Sequence, residues 1–215
     1  MWHPATVWYV PEALTPVTLE GHHVRLEPLD RAHAEGLAAA AAVDRSTFGL
    51  TWVPEDLSSM HAYIDLLLHA QARAEVLPFA QRRVDTGELV GCTRYLDLHW
   101  WSGREQIAEL EIGGTWLAAN AQRTAVNTEA KLLLSTYAFE TLGVWRVAIC
   151  TDARNQRSRD AILRIGASFE GVLRNHRVRY DSVEPRPRQT ALYSIIDEEW
   201  PSVKQGLQDR LDAAG

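Results

Sequence analysis

The chain has few cysteines and no long apolar run. Its two cysteines, Cys92 and Cys150, lie far apart among 215 residues, without the paired spacing of a zinc site or a disulfide framework. No stretch reaches about 18 uninterrupted apolar residues, and the N-terminus lacks a basic region followed by an apolar run. We therefore expect a cytoplasmic protein that is not secreted and does not span a membrane.

An excess of positive charge is also missing. The formal net charge is -6 at pH 7, whereas binding to a phosphate backbone needs clustered Lys and Arg on one face. Nucleic acid is therefore not an expected partner. Ligand spacing is absent among the histidines, because His22 and His23 are adjacent while His61 and His69 align poorly on a helix. The sequence accordingly predicts no metal site.

What the chain does contain is enough apolar residues for a sizeable core, 46% of the total. Residues 1–16 carry three prolines and scattered aromatics, which is typical of an irregular arm. We therefore predict an N-terminal arm at 1–16 followed by a single domain at 17–215. The Trp-containing residues 1–10 would suit subunit contacts, so a homodimer is one arrangement open to the chain.

Hydrophobic periodicity predicts alternating strands and helices. A hairpin or edge strand at 17–29 precedes an Ala-rich helix capped by Asp30, and a second helix follows Pro54. After two strands joined by a turn at 85–88, the predicted order is strand, helix, strand, helix and two strands. This order predicts an α/β (α+β) fold with helices flanking a central mixed, mostly antiparallel sheet.

The predicted strand IAELEIGGTWL alternates until a pair of glycines interrupts it. Glu109 and Glu111 share one face, and Gly113 and Gly114 follow directly. Glycine inside a strand typically marks a bulge or the close approach of a ligand or another backbone. A bulge between diverging strands would leave backbone amides unpaired, which could admit an extended chain that contains amides.

The stretch NAQRTAVNTEAKLLL, residues 120–134, is a polar loop that runs into a helix. The N-terminus of a helix carries unpaired N–H groups and about half a positive charge, so such a loop favours an anion such as phosphate. The nucleotide-hydrolase and dinucleotide loops are excluded, because Gly-Lys-Ser/Thr and spaced glycines are missing. A helix capped by Thr124 or Asn127, with no ligand, remains the alternative.

A second helix start, NQRSRDAILRIGASFEGVLR, follows a later strand, with Asn155 at its mouth and Ser158 in its first turn. Together the motifs resemble the GNAT acyl-CoA N-acyltransferases, especially the branch of the RimJ/RimL-type protein N-acetyltransferases. The resemblance extends over 17–200 and is strongest over 107–174. In the pyrophosphate loop of the family, Gln/Arg-x-x-Gly-x-Gly/Ala, Gln122 matches, but Ala125 and Asn127 depart from the general pattern.

The resemblance implies a splayed strand pair that forms the acyl-CoA cleft, with acetyl-CoA (coenzyme A) as co-substrate. The implied cofactor-binding residues are Trp116, Leu117, Gln122, Arg123, Thr124, Ala125, Val126, Asn127, Thr128, Asn155, Arg157 and Ser158. Arg159 could also meet the phosphates. Between 151 and 190 the sequence has nine Arg against five acidic residues, which is equally typical of a solvated or interface face.

Acyl transfer to an amine needs a base, because an alkylamine with a pKa of ~10 is mostly protonated near neutral pH. The resemblance implies Glu111 as this catalytic base, with Glu109 as fallback. The alternative for Glu111 is an exposed strand residue or a partner for arginine. The backbone N–H near Leu117 would then stabilise the oxygen of the tetrahedral intermediate.

The acid that many family members supply as Tyr in the second helix has no counterpart, since Ile162 or Leu163 occupies that region. Ser158 could instead donate a hydrogen bond to the sulfur, or could serve only as part of the helix cap. For the acceptor we predict substrate-binding roles for Trp52, His99 and Trp100, although large aromatics are more often core or interface residues.

The function implied is acetyl transfer from acetyl-CoA to a primary amine, on a small molecule or a protein N-terminus, by direct attack in a ternary complex. The altered loop residues Ala125 and Asn127 and the missing Tyr leave one alternative, a catalytically silent acyl-CoA-binding or scaffold protein of the same fold.

Overall fold

The computed structural model describes residues 14–101, 103–179 and 184–213. All but the last three residues of the predicted arm at 1–16 lie outside these ranges. The Trp-containing segment 1–10, on which the expectation of subunit contacts rests, lies outside them entirely.

The described chain forms eight strands and five α-helices, joined by short 3-10 turns. The strands are β1 Leu19–Glu20, β2 Val24–Pro28, β3 Leu77–Arg83, β4 Leu89–His99, β5 Glu109–Leu117, β6 Arg146–Asp152, β7 Ser168–Val178 and β8 Pro187–Ile196. The helices are α1 Ala34–Ala42, α2 Leu57–Ala72, α3 Ala125–Thr136, α4 Gln156–Arg164 and α5 Trp200–Asp212. A π-helical turn, Tyr137–Thr141, continues α3.

All eight strands belong to one sheet in the order β1-β2-β3-β4-β5-β6-β8-β7. Neighbouring strands pair antiparallel, except that β5 and β6 run parallel. The mixed, mostly antiparallel sheet with flanking helices that the sequence predicts is therefore confirmed. The parallel pair lies at the centre of the sheet. The loop before α3 follows β5, and the loop before α4 follows β6.

Aspartate caps precede the first two helices, and the cap at Asp30 was predicted from the sequence. Asp30 accepts a hydrogen bond from Ala32 N at 2.8 Å and caps a 3-10 turn that leads into α1. Asp56 accepts from Ser59 N at 2.8 Å and caps α2. Such caps typically contribute about 1 kcal/mol each by satisfying N–H groups that the helix leaves unpaired.

Two apolar cores lie on opposite faces of the sheet. One joins α1 and α2 to the sheet and includes Met60, Ile64 and Trp116. The other packs α3 and α5 on the opposite face and includes Leu134 and Leu207. Burying a side chain of this size contributes about 1.5–3 kcal/mol, so these two cores fix the sheet between the helix layers.

Helix α5 lies beyond the last element that the sequence reading assigned. Trp200 at its start stacks on Phe139 with ring centroids 5.2 Å apart, and its indole N–H donates to Glu140 Oε1 at 2.8 Å. Helix α5 thus covers the end of α3. Across the described ranges, no helix has the length and apolar character needed to cross a membrane.

Candidate active site

Strands β5 and β6 separate after a short paired segment. β5 pairs with β6 only from Glu109 to Glu111. From there to Leu117, β5 has no strand partner on the β6 side, while β6 continues to Asp152 paired with β8 on its other edge. The splayed strand pair predicted from the sequence is therefore present. Its open end leads into the loop before α3.

A bulge in β5 lies where the two strands separate. Opposite Thr93 of β4, strand β5 has two residues, Gly114 and Thr115. Gly114 has φ +57°, and a Cβ there would lie 2.4 Å from the guanidinium carbon of Arg94. A Cβ on Gly113 would lie 2.5 Å from Oε1 of Glu111. The glycine pair therefore marks a bulge, as predicted, and gives room to two charged side chains.

Glu111 is almost fully buried, with 3% of its surface exposed. Its Oε2 accepts a hydrogen bond from Arg177 Nη2 of β7 at 2.6 Å, and the same nitrogen lies 2.5 Å from Asp97 Oδ2. Burial raises the pKa of Glu111, and the positive charge of Arg177 acts in the opposite direction. A carboxylate with a raised pKa accepts a proton more readily, which is the property needed in a general base.

Glu109, the fallback base, lies at the closed end of the splayed pair. Its Oε1 accepts a hydrogen bond from Arg146 Nε at 3.0 Å, and Arg146 also pairs with Glu170 at 2.5 Å. His99 Nδ1 lies 3.7 Å from the other oxygen of Glu109. This carboxylate therefore belongs to a surface ion-pair network rather than to the bulge.

In the predicted pyrophosphate loop, the side chain of Gln122 forms hydrogen bonds to two other segments. Gln122 Nε2 donates to Leu117 O at 2.8 Å and to Thr47 Oγ1 at 3.1 Å. Arg157 of α4 donates one hydrogen bond to Gln122 Oε1 and another, at 3.2 Å, to Thr47 O. The structure therefore brings together Leu117, Gln122 and Arg157, three of the predicted cofactor-binding residues.

The loop itself turns sharply before α3. Arg123, not Asn127, is its left-handed residue, with φ +62°. Thr124 caps the helix, because its Oγ1 accepts a hydrogen bond from Val126 N at 3.3 Å. Within the described ranges, the backbone N–H groups of Arg123, Thr124 and Ala125 have no acceptor. Such free N–H groups at a helix N-terminus favour an anion.

The rest of this segment forms the first turn of α3. The side chain of Val126 is buried in the core, so this residue can offer a ligand only its backbone. Asn127 and Thr128 are half-buried. The role of these three residues in binding stays a prediction.

Helix α4 begins beside the same open end. Asn155 Oδ1 accepts a hydrogen bond from Ser158 N at 3.1 Å and so caps the helix. The hydroxyl of Ser158 is half-buried and has no partner among the described residues. Arg159 points to the sheet, where its Nε donates to Tyr193 Oη at 3.1 Å. Ser158 therefore keeps a free donor, whereas Arg159 is engaged.

Trp116 and Leu117 lie in the part of β5 that pairs with β4 but not with β6. The indole of Trp116 is buried and meets Phe48 edge-on, with ring centroids 6.0 Å apart. Trp116 pairs with Cys92 of β4, whereas the carbonyl of Leu117 points the other way, to Gln122. Leu117 therefore presents its backbone to the cleft, and Trp116 contributes mainly to the core.

Of the predicted acceptor residues, Trp52 connects to the bulge. Its ring lies 5.8 Å from that of Tyr63, and the hydroxyl of Tyr63 accepts a hydrogen bond from Arg94 Nη1 at 3.3 Å. Arg94 in turn covers Gly114. The indole of Trp52 is 47% exposed and therefore accessible to an acceptor.

His99 and Trp100 lie at the end of β4, beside Glu109 rather than beside Glu111. The neighbouring Trp101 packs edge-on against Trp145 at 5.5 Å, with the guanidinium of Arg104 4.0 Å from the Trp145 ring. The structure thus separates His99 and Trp100 from Trp52.

Four charged residues near the bulge were not singled out from the sequence, namely Arg94, Asp97, Arg177 and Lys131. Arg177 belongs to the basic stretch noted above, but nothing local indicated that it would reach Glu111. Lys131 is 6% exposed and its Nζ donates to Thr115 Oγ1 at 2.9 Å. Its one available signal was its position, since it interrupts the apolar side of α3.

Among the described residues, no group of three or more His, Cys, Asp or Glu side chains is placed to hold a metal ion. The bulge and the open end beyond it hold a buried carboxylate, backbone groups of β5 that are unpaired on the β6 side, and a helix N-terminus. A splayed strand pair with these features can accept an extended, amide-containing ligand whose anionic end lies at the helix N-terminus.

Comparison with known proteins identifies the family. The family model described as Acetyltransferase (GNAT) domain matches residues 23–168, so the chain belongs to the GNAT acetyltransferases. A solved GCN5-related N-acetyltransferase from Brucella melitensis is 30% identical and superposes with a TM-score of 0.80, over 96% of this chain and 90% of its own.

Two further relatives bear on the branch. YdaF of Bacillus subtilis, provisionally named a ribosomal N-acetyltransferase, is 28% identical over 186 residues, which are 85% of this chain and 96% of YdaF. RimJ of Mycobacterium smegmatis, solved in complex with CoA-disulfide, is 21% identical with a TM-score of 0.73, over 91% of this chain and 95% of its own. The latter likeness shows the fold alone, while YdaF supports the RimJ/RimL-like branch.

Proposed function

We propose that this protein transfers an acetyl group from acetyl-CoA to a primary amine by direct attack in a ternary complex. The observation that carries the proposal is the position of Glu111, buried beside the bulge where β5 and β6 separate. Of the two acceptor classes, a protein N-terminus is favoured over a small molecule, because YdaF is named for action on ribosomal protein.

The residues at the open end of the splay fit acetyl-CoA. Free backbone N–H groups from Arg123 to Ala125 precede α3, and the guanidinium of Arg157 lies beside the same loop. Both features suit the phosphates. The unpaired edge of β5 up to Leu117 suits the amide-containing pantetheine arm. Acetyl-CoA supplies the acyl group as a thioester with a good leaving group.

Glu111 removes the proton that keeps the acceptor amine unreactive. An alkylamine has a pKa of ~10, so at neutral pH a base must take a proton before or during attack. Burial raises the pKa of Glu111 and improves it as an acceptor, while Arg177 keeps the carboxylate ionised often enough to act. Transfer proceeds directly or through one water.

Two further groups assist the transfer. The carbonyl of Leu117 faces the cleft, and in a strand the N–H of a residue points to the same side as its carbonyl. Leu117 N–H is therefore placed to stabilise negative charge on the carbonyl oxygen of the reacting acyl group. The free hydroxyl of Ser158 can donate a hydrogen bond to sulfur.

Binding is the first test of this proposal. Acetyl-CoA at 100 times its Kd should stabilise the protein by about 2.7 kcal/mol, seen as a rise in Tm. Arg157→Gln should weaken this binding, whereas Arg210→Gln, an exposed change on α5, should leave it intact. Absence of any shift with acetyl-CoA in the unmodified protein would refute both the enzyme and a silent acyl-CoA-binding protein.

Turnover is the second test and separates those two readings. Thiol release should be followed over a panel of peptides with free N-termini and of small alkylamines. We expect peptide-dependent release. Binding of acetyl-CoA without release on any amine of the panel would identify the chain as a silent binding protein.

A further inference from the structure

Lys131 lies beneath the unpaired part of β5. Its Nζ donates to Thr115 Oγ1 at 2.9 Å, and that hydroxyl lies 2.8 Å from Thr93 Oγ1. Thr115 is the second residue of the bulge, directly after Gly114. The ammonium therefore lies at the bulge of β5, just beyond Glu111, where the pairing of β5 with β6 ends.

The hydrogen bonds of this ammonium are incomplete. A lysine ammonium has three N–H donors, and within the described part of the chain Lys131 has one acceptor, Thr115, and no carboxylate partner. Its side chain is nevertheless buried, with 6% exposed. A buried cation without a partner is costly, so the missing acceptor is expected to arrive with a ligand in the cleft.

The identity of the residue is informative. The sequence contains 20 arginines but only two lysines, Lys131 and Lys204. Arginine stays protonated in proteins, whereas a buried lysine can lose its proton near neutral pH. Of these two cations, only lysine can therefore also act as a proton donor.

The charges around Lys131 support such a role. Burial lowers the pKa of Lys131 to about 8, and the negative charge of Glu111 on β5 acts in the opposite direction. Glu129, two residues earlier on α3, is engaged elsewhere, since it accepts hydrogen bonds from the backbone of His22, His23 and Val24. Free thiols have a pKa of ~8.5, so Lys131 and a thiol can share one proton.

We propose that Lys131 protonates the coenzyme A sulfur as the thioester is cleaved, a role that rests on the proposed acetyl transfer. The amine nitrogen forms a bond to the acyl carbon, the C–S bond breaks, and its electron pair goes to sulfur. Lys131 gives its proton to that sulfur. Glu111 takes the first proton of the ammonium before attack, and the nitrogen gives its second proton to water as the C–N bond forms. Glu111 and Lys131 exchange protons with solvent after the products leave.

This role supplies the acid for which the sequence offered no tyrosine. Helix α4, Gln156–Arg164, contains no tyrosine that could act as the acid. Ser158 can donate a hydrogen bond to sulfur, but an alkyl hydroxyl does not ionise near neutral pH. Lys131, hydrogen-bonded to Thr115 at the bulge, can supply such a proton.

Proton release on binding tests the proposal without turnover. If Lys131 and the thiol share one proton, coenzyme A binding at pH 7 should release about one proton per site. Calorimetry in two buffers of different ionisation enthalpy measures this number. Acetyl-CoA, which has no free thiol, should release none, and Lys204→Met should behave like the unmodified protein.

Variants at Lys131 sharpen the test. Lys131→Met should abolish the proton release and lower kcat by about 100-fold. Lys131→Arg should lower kcat to a similar extent, because arginine keeps its proton. Since Lys131→Met removes a buried cation, its Tm should not fall. Proton release that persists in Lys131→Met would overturn the proposal. Failure of both ligands to bind would instead refute the proposed function.

A measurement on the unmodified chain covers the case in which the variants misfold. With lysine labelled with 13C at Cε, NMR gives two signals, one from each lysine. The signal that is lost in Lys204→Met belongs to Lys204, and the other belongs to Lys131. The Lys131 signal should titrate near pH 8 in the free protein and move its midpoint with coenzyme A but not with acetyl-CoA. An identical midpoint in all three states would overturn the proposal.

Discussion

Arg177 forms an ion pair with Glu111 although two strands, β6 and β8, lie between β7 and β5 in the sheet. The side chain of Glu111 is 4% exposed and that of Arg177 is 27% exposed. The contact is made because the end of the β7–β8 hairpin departs from regular pairing, with a register shift before Arg177 and φ +50° at Asn175. Arg177, on a hairpin that is distant in the sheet, thereby opposes the rise in the pKa of the candidate base that burial causes.

Arg177→Gln should move the acidic limb of the pH–rate profile to higher pH. Burial raises the pKa of Glu111 and Arg177 opposes this shift, so removing the guanidinium raises that pKa further. A base must be ionised to accept a proton, and a higher pKa delays ionisation as pH increases. The measurement is kcat/KM from about pH 5 to 9, a range that begins just above the ordinary carboxyl pKa of about 4.3 and extends past neutral pH.

The matched control is Arg174→Gln, an exposed arginine on the same strand. Its profile should coincide with that of the unmodified protein. An acidic limb that stays in place in Arg177→Gln would show that Glu111 is not the group titrating in this limb.

Glu111→Gln should lower kcat by roughly 100- to 10,000-fold while acetyl-CoA still binds, because general base catalysis typically contributes that factor. Glu109→Gln gives the comparison, since its partner Arg146 lies at the closed end of the splay. If turnover falls more in Glu109→Gln than in Glu111→Gln, the base must be reassigned to Glu109.

The sequence predicted the parts of the site that depend on local chain geometry. The bulge followed from Gly113 and Gly114, and the cap of α3 from Thr124, one of two alternatives. The strand pair that splays at this bulge came from the family resemblance. Each of these features depends on residues that lie close together along the chain.

The parts of the site that the sequence did not predict depend on contacts between distant segments. Arg177 lies 66 residues from Glu111 along the chain, and its reach depends on the irregular end of a hairpin. Burial of Lys131 was equally hidden, because a helical pattern treats a lysine as solvent-facing. The positive φ of Arg123 was not predicted either. Tertiary contacts, not local preference, decide the surroundings of Arg177 and Lys131.

Gly114→Ala should destabilise the protein and reduce activity together. The residue has φ +57°, which costs a side chain about 1–2 kcal/mol, and its new Cβ would collide with Arg94. Gly206→Ala is the matched control, because Gly206 lies exposed in α5 with no atom within 4 Å of an added Cβ. The control should gain about 0.5–1 kcal/mol. Equal urea midpoints for both variants would show that the bulge is not constrained.

Arg123→Gly should change stability and ligand affinity in opposite directions. Glycine adopts φ +62° without strain, so Tm should rise, by the equivalent of about 1 kcal/mol. Loss of the guanidinium should weaken coenzyme A binding if Arg123 meets the phosphates. Affinity equal to that of the unmodified protein would remove Arg123 from the binding residues, whatever its effect on Tm.

Glu129→Gln should cost about 1.5–3 kcal/mol of stability, because the buried carboxylate accepts hydrogen bonds from three consecutive backbone N–H groups. Its Oε2 lies 2.6 Å from His23 N and 2.7 Å from Val24 N, and an amide nitrogen placed there could accept neither bond. Glu75→Gln, which changes an exposed surface pair with Arg73, should leave the urea midpoint unchanged. Since Glu129 anchors α3 to the β1–β2 turn, the loss should appear as a lower midpoint with acetyl-CoA affinity largely retained. A midpoint equal to that of Glu75→Gln would mean that water replaces the carboxylate without cost.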